Sequence, residues 1–144
     1  MNNSTTEHLD KILSAISSEK EMVSFMKIPK VVSGFTSFHD YFQSLESVQS
    51  MGSSELISKS SLERSYYYQI MKGTKKPGRD KVLRLCLAAG LNLHQTKRAL
   101  ELSGNASLYS RNPRDIILAV AINQKSGVIE TNLLLSNYGE QPLG

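Results

Sequence analysis

Apolar side chains recur three or four residues apart along almost the whole chain, which is the helical period, and strict strand-like alternation is absent. Leu9, Ile12, Leu13, Ile16, Val23 and Met26 form a first stripe, with Ser4, Thr5 or Thr6 placed to start the helix and Pro29 to end it. Residues 31–36 read as a linker broken at Gly34. A second helix is expected from Ser37 to Ser50, with Phe38, Phe42, Leu45 and Val48 inward and Gly52 as its break. Two short helices follow, Ser54–Lys59 and Glu63–Met71, joined by the tight connection Ser60-Ser61-Leu62. Lys72–Gly78 is a basic turn in which Gly73 suits a helix end and Pro77 cannot continue one. Four more helices are expected: Arg79–Ala89 closed by Gly90, Leu93–Ser103 closed by Gly104, Pro113–Gln124, and Val128–Tyr138. The fold class is therefore all-α.

The last four helices carry an internal repeat offset by 35 residues. Arg79-Asp80 matches Arg114-Asp115, Leu83 matches Leu118, and Thr96, Leu100 and Gly104 match Thr131, Leu135 and Gly139. The period lies near that of tetratricopeptide arrays, but two copies make no solenoid and the Trp-Leu-Gly signature is absent. Two helix pairs of similar packing are the simpler expectation. Asp80 and Asp115 then stand in first turns, where a carboxylate suits the helix dipole, and Pro113 suits the first helical position.

Composition narrows the class. At 144 residues the chain is one domain, or one small domain with extensions, long enough for a core without disulfides or metal. Its 40% hydrophobic and 21% charged residues describe a globular chain. The single cysteine, Cys86, excludes an internal disulfide and reads as a small buried hydrophobe. With His8, His39 and His94 scattered, no zinc pattern exists, and neither metal nor cofactor is expected. The longest apolar run, Leu85–Leu91, is far below the ~20 residues of a membrane span. Residues 1–7 lack the features of a signal peptide, so the expected address is the cytoplasm. No nucleophile–base–orienter set and no paired carboxylates appear, which argues against an enzyme. The stretch Gly73–Gly78 lacks both the Gly-Lys-Ser/Thr end and the preceding strand of a nucleotide loop.

The informative stretch is Ser54–Pro77, because a short helix, a tight turn and a second short helix form a helix-turn-helix pattern. Tyr67, Ile70 and Met71 give the second helix an inner face, while Arg64, Ser65, Tyr68, Gln69 and Lys72 stand outside. Such an outer face suits the major groove of double-stranded DNA, where Arg bonds guanine and Gln bonds adenine with two hydrogen bonds each. Charge agrees. Residues 59–84 hold eight basic and two acidic side chains, +6 net, against +4 for the whole chain. Lys72, Lys75, Lys76 and Arg79 are placed to hold the phosphate backbone. Three consecutive tyrosines, Tyr66-Tyr67-Tyr68, spread around a helix and form no single stacking platform.

These residues carry a resemblance. Leu56 and Ile57, Ser61 and Leu62, Tyr67 and Ile70, Gly73 and Pro77, followed by the apolar helix Arg79–Ala89, are spaced as in the Xre/Cro family of helix-turn-helix regulators. The match spans about Thr36–Gly104. It departs at Ser53, where the family has a glutamine, at Ser61, where it has a glycine, and at Met71, where it has a glutamate. The resemblance implies a lambda-repressor-like bundle over residues 34–105, an N-terminal helical extension over 1–33, and a C-terminal helix pair over 106–144. It further implies base reading by Arg64, Ser65, Tyr68 and Gln69, with Tyr66 a secondary candidate, and phosphate contacts from Ser53, Ser54, Lys72 and Lys75.

A transcriptional regulator, most simply a repressor acting as a homodimer on a two-fold site, is the resulting expectation. The dimer surface is open between the N-terminal stripe, which could instead fold on the core, and the last helix with Leu133, Leu134 and Leu135. The competing expectation is a protein-interaction adaptor or antitoxin, whose C-terminal helices hold a protein partner.

Overall fold

The computed structural model describes residue 11, residues 13–26 and residues 35–144. They fall in two compact units, Met1–Phe35 and Thr36–Gly144. Among the described residues there are nine helices of six or more residues and no strand.

In the first unit, α1 spans Glu19–Met26. Ser18 starts it: its hydroxyl accepts the Glu21 N–H at 3.1 Å and donates to the Glu21 carboxylate at 3.0 Å. The single stripe expected from Leu9 to Met26 is thus interrupted, because residues 16–18 are not helical. Serines at 17 and 18 favour a helix start over a helix interior. Leu13, Met22 and Val23 are exposed. Leu9, Ile12, Pro29, the linker around Gly34 and His8 lie outside the described residues.

The second unit opens with α2 (Phe38–Ser44) and α3 (Glu46–Met51). The one helix expected over Ser37–Ser50 is broken at Leu45, which is extended and donates its N–H back to Phe42 O. The break re-aims the chain, so that Phe38, Phe42 and Val48 are buried and Leu45 packs against them. The motif helices follow as α4 (Ser53–Ser60) and α5 (Arg64–Met71). Then come α6 (Arg79–Ala88), α7 (Leu93–Leu102), α8 (Pro113–Asn123) and α9 (Val128–Asn137). Residues 106–144 belong to the same compact unit as residues 36–105. The core runs through Phe42, Leu56, Ile70, Leu83, Leu85, Leu100, Leu118, Ile122 and Leu135, each nearly inaccessible. Cys86 is fully buried there, and burial pushes its thiol up to about 12 against a smaller opposing effect of the Thr96 hydrogen bond.

The 35-residue repeat is a structural one. Both hairpins turn on a left-handed residue, Gly90 (φ 66°) and Lys125 (φ 58°). Both second helices start alike: Gln95 Oε1 accepts Asn92 N–H at 3.0 Å, and Glu130 Oε1 accepts Gly127 N–H at 3.1 Å. The buried Thr96 and Thr131 hydroxyls donate to Asn92 O and Gly127 O. The hairpins pack reciprocally, α6 on α9 and α7 on α8, as an approximate two-fold requires. Arg79 reaches across to both oxygens of Asp115 at 2.9 Å, and Arg114 reaches back to both oxygens of Asp80 at 3.1 and 3.0 Å. Each arginine also gathers its own loop, Arg79 through Ala106 O and Ser107 O, Arg114 through Gln141 O and Pro142 O. The carboxylates expected to serve their own helix starts are therefore engaged mainly by the opposite hairpin.

Candidate nucleic-acid interface

α4 and α5 meet at Ser61, which is left-handed (φ 58°, ψ 30°). That is the position where the resembling family carries glycine, and any side chain there costs about 1–2 kcal/mol. Leu56, Ile57 and Leu62 are buried around the turn. On α5, Tyr67, Ile70 and Met71 are buried, Tyr66 is half-buried and Tyr68 is 37% exposed. The Tyr67 and Tyr68 rings meet edge-on at 80°, so the tyrosine run offers no flat stack. Arg64, Ser65 and Gln69 are exposed.

These outward groups differ in availability. The side chains of Arg64, Tyr68 and Gln69 have no hydrogen-bond or ion-pair partner among the described residues. The Ser65 hydroxyl donates to the Glu63 carboxylate, at the first turn of α5. Glu63 is thus a neighbour that sequence reasoning missed: an acid beside the expected reading face, at the end of the helix where the dipole favours it.

The end of α5 is built by backbone. Gln69 O accepts from Thr74 N–H, Lys75 N–H and the Thr74 hydroxyl, all within 3.2 Å, which folds the basic turn back on the helix. Gly73 is needed twice there: its φ is +80°, and a Cβ would stand 2.6 Å from the His39 ring. From α2, the Gln43 amide donates to Met71 O at 3.0 Å and pins the end of α5. Neither His39 nor Gln43 was legible as a support, because each acts across about 30 residues of sequence.

The expected phosphate contacts separate into two groups. Lys72 and Lys75 are exposed and have no ion-pair partner among the described residues. Lys76 is exposed and crosses the end of α7, where a Cβ on Gly104 would meet its Nζ at 3.4 Å. Together with Ser37, His39, Lys75 and Leu102 it lines an open hollow of about 280 Å³. Ser53 and Ser54 stand exposed in the first turn of α4. Arg79 differs from the lysines: four of its N–H groups are engaged by Asp115, Ala106 and Ser107, so it holds the loop after α7. Arg84 is likewise turned inward, and Lys59 pairs with Glu55 at 2.8 Å on the same helix. The available positive charge is accordingly narrower than the +6 of the stretch, resting on the exposed Arg64, Lys72, Lys75 and Lys76 and the half-buried Lys81.

Among the described residues no cluster of three or more metal-ligating side chains occurs, and no helix is long and apolar enough to cross a membrane. No family model matches the chain, and neither a curated protein nor a solved structure matches it.

Proposed function

We propose that this protein binds double-stranded DNA in a sequence-specific manner and regulates transcription, most simply as a repressor, by inserting α5 into the major groove. One observation carries the reading. A short helix, a left-handed turn and a second short helix present Arg64, Tyr68 and Gln69 without hydrogen-bond or ion-pair partners among the described residues, beside a turn that holds Lys72 and Lys75 outward. Arg64 and Gln69 read base edges, Ser65 and Tyr68 adjust them, and Lys72, Lys75, Lys76, Ser53 and Ser54 hold phosphates. Two copies on a two-fold site complete the reading. Its test is titration of a duplex from the chain's own upstream region against random duplex at two salt concentrations. The expected result is a preference of ~10³-fold or more with a steep salt slope. Equal, weak binding to both duplexes sinks the claim of specificity, and no binding at low salt sinks the whole reading.

A second reading has its own support. The outer faces of α8 and α9 expose Ile116, Val120, Ile129 and Leu133, with Ile129 at 74%, and Tyr138 is exposed just after α9. Of the leucine run, Leu135 is core and Leu133 is 61% exposed. Apolar groups so placed suit a protein partner, as an adaptor or antitoxin requires. Co-purification of the chain with a partner that competes with DNA would favour it.

A further inference from the structure

Arg84 departs from the repeat. Its counterpart 35 residues on is Ala119, whereas Arg79 and Arg114 match each other bond for bond. The second hairpin therefore closes without a residue of the Arg84 kind, and in the first the Arg84 guanidinium bonds nothing of its own hairpin. Its guanidinium instead joins three parts of the molecule. Nη1 donates to Ser60 O at 3.2 Å, the last residue of α4 and the one before the left-handed Ser61. Nη2 donates to Leu143 O at 2.7 Å and Nε to Gly144 O at 2.9 Å. A carbonyl at a helix end lacks an intrahelical donor, and a cation there complements the dipole, so Arg84 closes α4 where the motif turns.

The other end of this link is held from both hairpins, by Asn132 and Arg114 of the second and by Asp80 of α6. Leu143 is 3% exposed and donates its N–H to Asn132 Oδ1 at 2.8 Å, and Gly144 N–H donates to Asp80 Oδ2 at 2.9 Å. Arg114 gathers Gln141 O and Pro142 O.

We propose that Arg84 is a positioning residue that couples the segment 140–144 to the α4–α5 turn, so that the second hairpin sets how α5 is presented to DNA. The affinity part of this proposal rests on the DNA-binding reading; the coupling part does not. Lysine at 84 keeps the charge near α4, but a single ammonium cannot span Ser60 and residues 143–144 together.

The test compares the full chain with Arg84→Ala, Arg84→Lys and Asn132→Ala, each shown to be folded by circular dichroism. Amide exchange over residues 60–64 is expected to quicken about tenfold in both Arg84 variants, and less in Asn132→Ala. Specific duplex affinity is expected to fall about tenfold in both Arg84 variants, with the salt slope unchanged. Exchange and affinity both unchanged in folded Arg84→Ala would overturn the coupling. Full recovery of affinity by Arg84→Lys, with a slope lower by about one in Arg84→Ala, would overturn it in favour of a direct phosphate contact. If the parent chain binds no duplex, the DNA-binding reading fails, and the exchange rates alone decide the coupling.

Discussion

Arg64 and Gln69 are the residues on which the proposed base reading turns, because their side chains have no other partner among the described residues. Arg64→Ala or Gln69→Ala should each cost about 1–3 kcal/mol of specific binding and relax selectivity at one base pair. Lys75→Ala should weaken all duplexes alike and lower the salt slope by about one. Competition titrations at several salt concentrations separate the two behaviours. Two backbone positions make predictions of stability. Ser61→Gly should raise unfolding free energy by about 1 kcal/mol, since it removes a side chain from a left-handed residue (φ 58°). Gly73→Ala should lower it by about 2 kcal/mol or more, since strain at φ +80° adds to a clash with His39. Urea unfolding measures both. Ser61 also marks where legibility ended at this scale: the spacing located the turn and the resemblance put a glycine position there, but only backbone geometry reveals that the serine adopts the left-handed conformation.

Among elements, the four helices after residue 78 depend on the crossed pairs Arg79–Asp115 and Arg114–Asp80. Asp115 is 5% exposed, so Arg79→Ala leaves a buried carboxylate uncompensated and should cost about 3 kcal/mol in thermal or urea unfolding. If the proposed DNA reading holds, affinity measured well below the unfolding midpoint should change little, because the Arg79 guanidinium is engaged by Asp115, Ala106 and Ser107. Asp80 adds a pH dependence. Burial pushes its carboxyl up, but the Arg114 hydrogen bonds, the Gly144 N–H and the charges of Arg114 and Arg79 outweigh that and hold it below its ordinary 3.8. A carboxyl depressed on folding contributes stability that is present above the unfolded value and lost as pH falls through the folded one. Stability should therefore decline as pH drops below about 4, and Asp80→Asn should flatten that decline in acid-unfolding curves. The repeat was legible as matched residues, including both Arg-Asp pairs. The exchange of partners was not, because an offset of 35 relates positions in sequence and says nothing of which hairpin an arginine faces.

For the second unit as a whole, Cys86 offers a direct report on cooperativity. It is fully buried with its thiol raised to about 12, so a thiol-reactive probe should label it only through large-scale opening. Labelling rates should follow the unfolding equilibrium across a urea series; fast labelling in water would mean that α6 opens locally. By itself, the sequence determined the helical class, the approximate bounds of most helices, the motif turn with Gly73 and Pro77, the tyrosine that enters the core, and the repeat. These follow from local rules: period, capping, left-handed glycines and a ring-locked proline. Tertiary structure decided which charges remain free. Residues 59–84 hold eight cations, yet Arg79 is spent on Asp115 and Arg84 on Ser60 and residues 143–144, partners 24 to 60 residues away. A charge count adds every cation alike, whereas a folded chain satisfies buried carboxylates and orphan carbonyls first and leaves only the remainder to face a ligand.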